Sequence, residues 1–294
     1  MGVSRGVIDL DTIRRRQSVR HFEIRRFAGV SEVRDDAVAT EEPLEIRLEL
    51  SDPDDGRVER SISITMRTPG NDDELAAGFL FTEGIVRRPE DIRLIRPCGP
   101  PAANGLINVI RVELADDVVV DLKRLERHFY TSSSCGVCGK ASLEAVAVQG
   151  RYELRDAPMK IDRETLQRLP DRLVAEQSIF ERTGGLHASG LFDSSGNILC
   201  VREDVGRHNA LDKLIGVQLM QRALPLRRRG ILVSGRASFE LMQKAMMAGC
   251  PLVAAVGAPS SLAVELAEEF GMTLVGFLKP DRFNVYARPD RIIA

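Results

Sequence analysis

The sequence predicts an α/β protein, with an α+β first half joined to a second half built on a largely parallel sheet. From Gly230 onward, short apolar runs alternate with helix-length segments: Ile231 to Val233, Ser238 to Ala248, Leu252 to Val256, Ser260 to Phe270, Thr273 to Phe277. Strands separated by helices of that length imply crossovers between parallel neighbours. Nearer the N-terminus the period changes, and Leu44 to Leu50 alternates apolar and charged residues as a half-buried strand does. The chain has 294 residues, enough for about two domains of ~150 residues each. The expected organisation is a flexible tail over 1–40, an α+β unit over 41–155 and a ligand-binding α/β unit over 156–294.

The tail carries Arg14-Arg15-Arg16, Arg20, Arg25 and Arg26, then an acidic stretch to Glu42, with no hydrophobic period. Order begins at Pro43. Pro53-Asp54-Asp55-Gly56 supplies turn chemistry between the first strand and a second at Ser61 to Met66. Asp72 or Asp73 is placed to cap a helix through Glu74 to Phe81 that stops at Gly84. Ile92 to Arg96 and Leu106 to Leu114 read as further strands, and the following loop delivers two cysteines. The second half opens with a helical run from Asp162 to Phe180 and a hairpin turning at Ser194-Ser195-Gly196. A long helix then spans Asp204 to about Gln221.

Composition excludes several classes. Forty-one basic and 43 acidic residues leave a net charge of -2, which favours neither nucleic acid nor an anionic membrane surface. Five cysteines without regular spacing make no disulfide framework. No apolar run is long enough to cross a bilayer and no signal-peptide core is evident, so a cytoplasmic location is expected.

The chemistry concentrates in Tyr130-Thr131-Ser132-Ser133-Ser134-Cys135-Gly136-Val137-Cys138-Gly139-Lys140. Glycine after each cysteine removes a Cβ and lets a bulky partner reach both sulfurs. Lys140 and a helix beginning there favour thiolate. Zinc ligation and thiol chemistry both remain open on these residues alone, although Cys98, Cys200 and Cys250 stand apart as packing residues. Ligands of parallel sheets sit outside the carboxyl ends of the strands. That rule selects Ser234-Gly235-Arg236-Ala237-Ser238, Gly257 to Ser261 and Leu278 to Arg282. A guanidinium and a helix N-terminus together suit phosphate. His208 and Asp212, four apart, are spaced to pair on one helix face, and His187 reads as a core histidine.

Beside these readings, the chain resembles the FdhD family of formate dehydrogenase accessory sulfurtransferases. The resemblance runs from Glu41 to Arg291 and rests on ordered blocks. They are Thr68-Pro69-Gly70 with Asp73 to Leu80, Phe129 to Ser142 around the cysteines, Gly184 to Ala188, Arg202 to Ala210, Leu232 to Glu240 and Asp281 to Tyr286. The resemblance implies a homodimer whose second domain has a cytidine-deaminase-like fold. It implies a sulfurtransferase that takes a persulfide from a cysteine desulfurase onto Cys135, with Cys138 as second motif cysteine. The acceptor is the molybdenum or tungsten cofactor bearing two molybdopterin guanine dinucleotides, destined for formate dehydrogenase, with GDP as a partial mimic. By position, Phe277-Leu278-Lys279-Pro280-Asp281-Arg282 matches the cofactor-binding stretch. No structural zinc is expected, and Lys140 and His128 are candidates for stabilising the anionic sulfur.

A deaminase reading fails on the residues. That chemistry uses H-x-E followed by P-C-x-x-C, whereas Ser189 stands in the glutamate position and Cys135-x-x-Cys138 lies upstream of His187. The alternative to sulfur transfer is a chaperone that binds and delivers the cofactor without catalysis.

Overall fold

The computed structural model describes residues 17–52, 56–120 and 152–294. Residues 19–39, expected to belong to a tail, form an antiparallel hairpin of β1 (Val19–Ala28) and β2 (Val30–Ala39). Gly29 turns it with φ +80, a conformation glycine adopts without steric strain. The pattern hid it because Phe22, Phe27, Val30 and Val33 stay exposed and no apolar face is buried. Its base is tied down where Thr40 N–H donates to the Ser18 carbonyl (2.9 Å) and Ser18 Oγ donates to the Pro69 carbonyl (2.6 Å).

The first half then builds β3 (Glu42–Asp52), β4 (Gly56–Arg67), α1 (Asp72–Thr82), β5 (Ile92–Pro97) and β6 (Val109–Leu114). The sheet order is β4-β3-β6-β5, with β3 and β6 parallel. Alternation works as the sequence suggested: Leu44, Ile46, Leu48 and Leu50 face inward and are buried. Outward, Arg47 pairs with Glu45 (2.8 Å) and Glu59 (3.0 Å), and Arg57 with Glu49 (2.9 Å). Such half-buried, solvent-screened pairs contribute little, ~0–1 kcal/mol each; the inward leucines carry the sheet. The cap of α1 differs from expectation. Asn71, at φ 58, is the N-cap, and Asp72 and Asp73 fall in the first turn, where negative charge opposes the positive end of the helix dipole.

The second half contains β7 (Ile161–Asp162), α2 (Arg163–Glu176), α3 (Phe180–Thr183), β8 (His187–Phe192), β9 (Ile198–Asp204) and α4 (Arg207–Met220). Asp162 caps α2, its Oδ1 accepting from Thr165 N–H at 2.8 Å. That helix stops at Glu176, short of the expected Phe180. There follow β10 (Gly230–Val233), α5 (Phe239–Met247), β11 (Leu252–Ala255), α6 (Ser261–Glu269), β12 (Thr273–Gly276), β13 (Asn284–Ala287) and β14 (Ile292–Ile293). The large sheet has the order β13-β12-β11-β10-β8-β9. Its centre, β10-β11-β12, is parallel as the strand and helix alternation predicts, and both flanks are antiparallel. Each central strand is buried on both faces. Leu232, Leu252 and Ala254 pack with Leu166, Leu169 and Leu173 of α2, whereas Ile231, Val233 and Val253 pack toward α4, α5 and α6.

A single apolar cluster runs from Leu44 of β3 through Leu75 and Leu80 of α1 and Leu211 and Leu214 of α4 to Val253 of β11. The two halves divide as sheets but share this core. Their joint is the α1–α4 contact, which has no room for side chains at two positions. A Cβ on Gly78 would lie 1.9 Å from the Asp212 carbonyl oxygen, and one on Gly216 1.9 Å from that of Glu74. Beside the joint, Lys244 of α5 reaches into the core. Its Nζ donates to Thr82 Oγ1 (2.9 Å) and pairs with Asp212 (3.0 Å) and Glu83 (3.4 Å). Asp212 therefore pairs across helices with Lys244, not along its own helix with His208. Among the described residues, no helix is long and apolar enough to cross a membrane.

Candidate functional site

Three loops leave the carboxyl ends of β10, β11 and β12 and are stitched together through their backbones. Gly257 N–H donates to the Gly235 carbonyl (2.9 Å), Phe277 N–H to the Gly257 carbonyl (3.0 Å), and Ser260 N–H to the Ala237 carbonyl (3.0 Å). Close approach requires Gly257, because a Cβ there would stand 3.0 Å from the Gly235 oxygen and 3.1 Å from Arg236 N. The candidate residues Ser234, Gly235 and Arg236 thus share one rim with Phe277, Leu278, Lys279, Pro280, Asp281 and Arg282.

The rim is unevenly committed. Leu278 is buried and anchors its loop in the core. Lys279 N–H donates to the Arg282 carbonyl at 2.8 Å, closing the turn that carries Pro280 and Asp281. Ser234 Oγ accepts from Ala188 N–H (2.9 Å) and keeps its own proton to donate. The exposed side chains of Arg236 and Lys279 have no hydrogen bond or ion pair among the described residues, and Arg282 touches only Asp281, at 3.3 Å. Phe277 holds φ 53 while 43% exposed. A bulky residue in the left-handed region is strained and aromatic surface in water is unfavourable, so this loop is shaped for something other than its own stability.

Beside the rim stand residues the sequence reading placed elsewhere or missed. His187, read as a core histidine, is partly exposed at the start of β8 with the Gly235 backbone against its ring. Burial and the neighbouring Arg207 push its pKa down, against the pull of Asp204. His208 Nε2 lies 3.5 Å from Ser238 Oγ and 4.0 Å from the Glu240 carboxylate. Its pKa is lowered to about 4, by burial first and then by Arg207 and Lys244. Arg207 was missed altogether. Its block was visible in the sequence, but nothing in the spacing shows that a strand start and two helix starts meet there. Behind it, Arg202 grips Glu74 with two nitrogens, and Lys213 pairs with Asp204 at 2.7 Å.

Cys135 and Cys138, together with Lys140 and His128, lie outside the described residues. Of the other cysteines, Cys200 is partly buried with its thiol pKa raised by burial, and Cys250 is fully buried and pushed up to about 12. Neither ionises readily, in keeping with packing roles.

The model of the FdhD/NarQ family matches residues 39–293. The sulfur carrier protein FdhD of Streptomyces coelicolor is 51% identical over 280 residues, covering 94% of this chain and 96% of its own. That of Mycobacterium tuberculosis is 49% identical over 264 residues, covering 88% and 92%. The crystal structure of a formate dehydrogenase accessory protein from Desulfotalea psychrophila superposes with a TM-score of 0.69 at 26% identity, covering 94% of this chain and 99% of that one. With the match running through both sheets and the loop rim, the chain belongs to the FdhD/NarQ family.

Proposed function

We propose that this protein is a sulfur carrier serving formate dehydrogenase, accepting sulfur as a persulfide on Cys135 and passing it to a molybdenum or tungsten bis-molybdopterin guanine dinucleotide. Its relatives' names support the carrier role, and the supporting observation in this chain is the loop rim with its unengaged cations. A guanine dinucleotide brings pyrophosphate, and Arg236, Lys279 and Arg282 are placed to receive it. In the first step the Cys135 thiolate attacks the terminal sulfur of a donor persulfide on a cysteine desulfurase. A new S–S bond forms at Cys135, the donor's S–S bond breaks, and the donor leaves as thiolate. Cys138 then attacks the inner sulfur of the Cys135 persulfide, releasing hydrosulfide for the cofactor and leaving a Cys135–Cys138 disulfide, which a cellular dithiol reductant returns to two thiols for the next round. The setting is the cytoplasm and the expected assembly a homodimer.

The test is intact-protein mass after incubation with cysteine and a cysteine desulfurase. The parent gains one reductant-labile sulfur and Cys135→Ser gains none. An unloaded parent that still binds cofactor would instead make the protein a delivery chaperone. The rim has its own test by calorimetry with GDP. Arg236→Ala with Arg282→Ala should weaken GDP binding by about ten-fold or more, the loss of one or two charge-assisted contacts. Unchanged affinity would remove the phosphates from this rim.

A further inference from the structure

The geometry points to a second oxyanion site, centred on Arg207 and framed by His187, His208 and Ser238, that takes a phosphate-class dianion. Three segments converge there: the start of β8, the first turn of α4 and the start of α5, the last following directly on the Ser234-Gly235-Arg236 loop of the rim.

Arg207 is the leading observation. It is only partly exposed, its Nε is buried without a hydrogen-bond partner, and no hydrogen bond or ion pair engages its side chain among the described residues. Arg67 and Arg202, also withdrawn from water, each hold a carboxylate with two nitrogens. A buried N–H left without an acceptor costs about 1–3 kcal/mol, so an arginine kept in that state is one awaiting an acceptor. Ser189 adds an independent sign. It lies two residues beyond His187, on the same face of β8. It is 1% exposed, and its Oγ has no partner among the described residues.

The surrounding charges favour an anion. Asp204, paired with His187 across β8 and β9, is already saturated by Lys213, Thr68 N–H, Gly206 N–H and Asn209. Glu240, 60% exposed, is the carboxylate that faces these groups, 4.0 Å from His208 Nε2 and hydrogen-bonded by Ser238, and an entering anion must displace it toward solvent; Lys244 is engaged with Asp212. Helices α4 and α5 both start here, and neither N-cap residue makes a side-chain capping bond. Their first turns and dipoles add positive potential. Neutral His187 and His208 can each donate one ring N–H, and Ser238 Oγ lies beside His208. These are the donors a phosphoryl group needs, with Arg207 supplying a two-pronged contact.

The anion is either free phosphate or, resting on the function proposed above, one phosphate of the nucleotide. Calorimetry on the full chain with inorganic phosphate and pyrophosphate, then with GDP, separates the two. Phosphate should bind the parent, weaken by about ten-fold or more in Arg207→Gln, and be indifferent to Arg282→Ala. Should Arg207→Gln fail to fold, Arg207→Lys gives the comparison, with weaker binding expected because an ammonium cannot engage two oxygens.

Bound dianion also favours imidazolium. The His208 proton signal, facing Arg207, His187, Lys244, Ser238 and Glu240, should therefore titrate at higher pH with phosphate than without. A purely structural arginine would leave that titration unmoved. Absence of phosphate binding to the parent, or binding unaltered by either Arg207 change, overturns the site. Phosphate binding lost in Arg207→Gln while GDP does not bind the parent leaves the site standing and removes the nucleotide reading.

Discussion

Lys244→Met is expected to lower stability by about 3–5 kcal/mol, the usual consequence of stranding a buried charge. Lys244 is 7% exposed and Asp212 2%. Burial works against the ammonium, yet Asp212 and Glu83 hold its pKa above the ordinary value. Burial pushes the Asp212 carboxyl up, against Lys244 and the Thr82 hydroxyl, which donates to it at 2.8 Å. These directions pull apart for the two partners; the short, doubly hydrogen-bonded contact argues for an ionised pair at neutral pH. Methionine replaces the alkyl stem but leaves Asp212 without its cation between three helices. Chemical denaturation of the single and double variants measures this. Asp212→Leu together with Lys244→Met should recover more than half of the loss, since an apolar pair carries no desolvation penalty. A single-variant loss under about 1 kcal/mol, the exposed-pair range, would mean that water reaches the pair.

Gly216→Ala should be comparably severe for a different reason. Alanine is the better helix former by about 1 kcal/mol, so propensity alone predicts stabilisation. The structure reverses the sign, because the new methyl would sit 1.9 Å from the Glu74 carbonyl oxygen and 2.8 Å from Gly78 N. Those are backbone atoms of a packed helix and cannot swing aside. The helices must separate, and overpacking of this kind costs about 1–3 kcal/mol or more, before counting strain at the adjacent Lys244–Asp212 pair. Gly185→Ala is the control, since nothing lies nearer than 3.8 Å to a Cβ there. Thermal melts should show a large drop for Gly216→Ala and almost none for Gly185→Ala. Equal melts would show that the helices have slack at their crossing.

Local patterns carried most of the elements. Leu44 to Leu50 alternates because one face meets α1 and the other meets water, and Ile231-Leu232-Val233 is apolar throughout because both faces are covered. The rim was legible too, since the carboxyl ends of parallel strands are fixed once the crossovers are recognised. Contacts between distant segments escaped. Gly78 and Gly216 each look like ordinary weak points of a helix until the two helices cross. His208 and Asp212 sit four apart, yet one faces Ser238 and the other Lys244, because partners on neighbouring helices outcompete the local pair. The hairpin of residues 19–39 was hidden for the opposite reason: it buries almost nothing, so no apolar face announces it.

If the protein carries sulfur as proposed above, the shared core has a kinetic consequence for its delivery. Val120 and Tyr152, the described residues that flank the segment bearing Cys135, both pack against that same apolar cluster. Both ends of the carrier segment are therefore moored to the body that holds the loop rim. Handing sulfur from Cys135 to a ligand on that rim is then an intramolecular event, governed by effective concentration rather than by how dilute the protein is. Loading by the donor and binding of the cofactor then remain the bimolecular encounters.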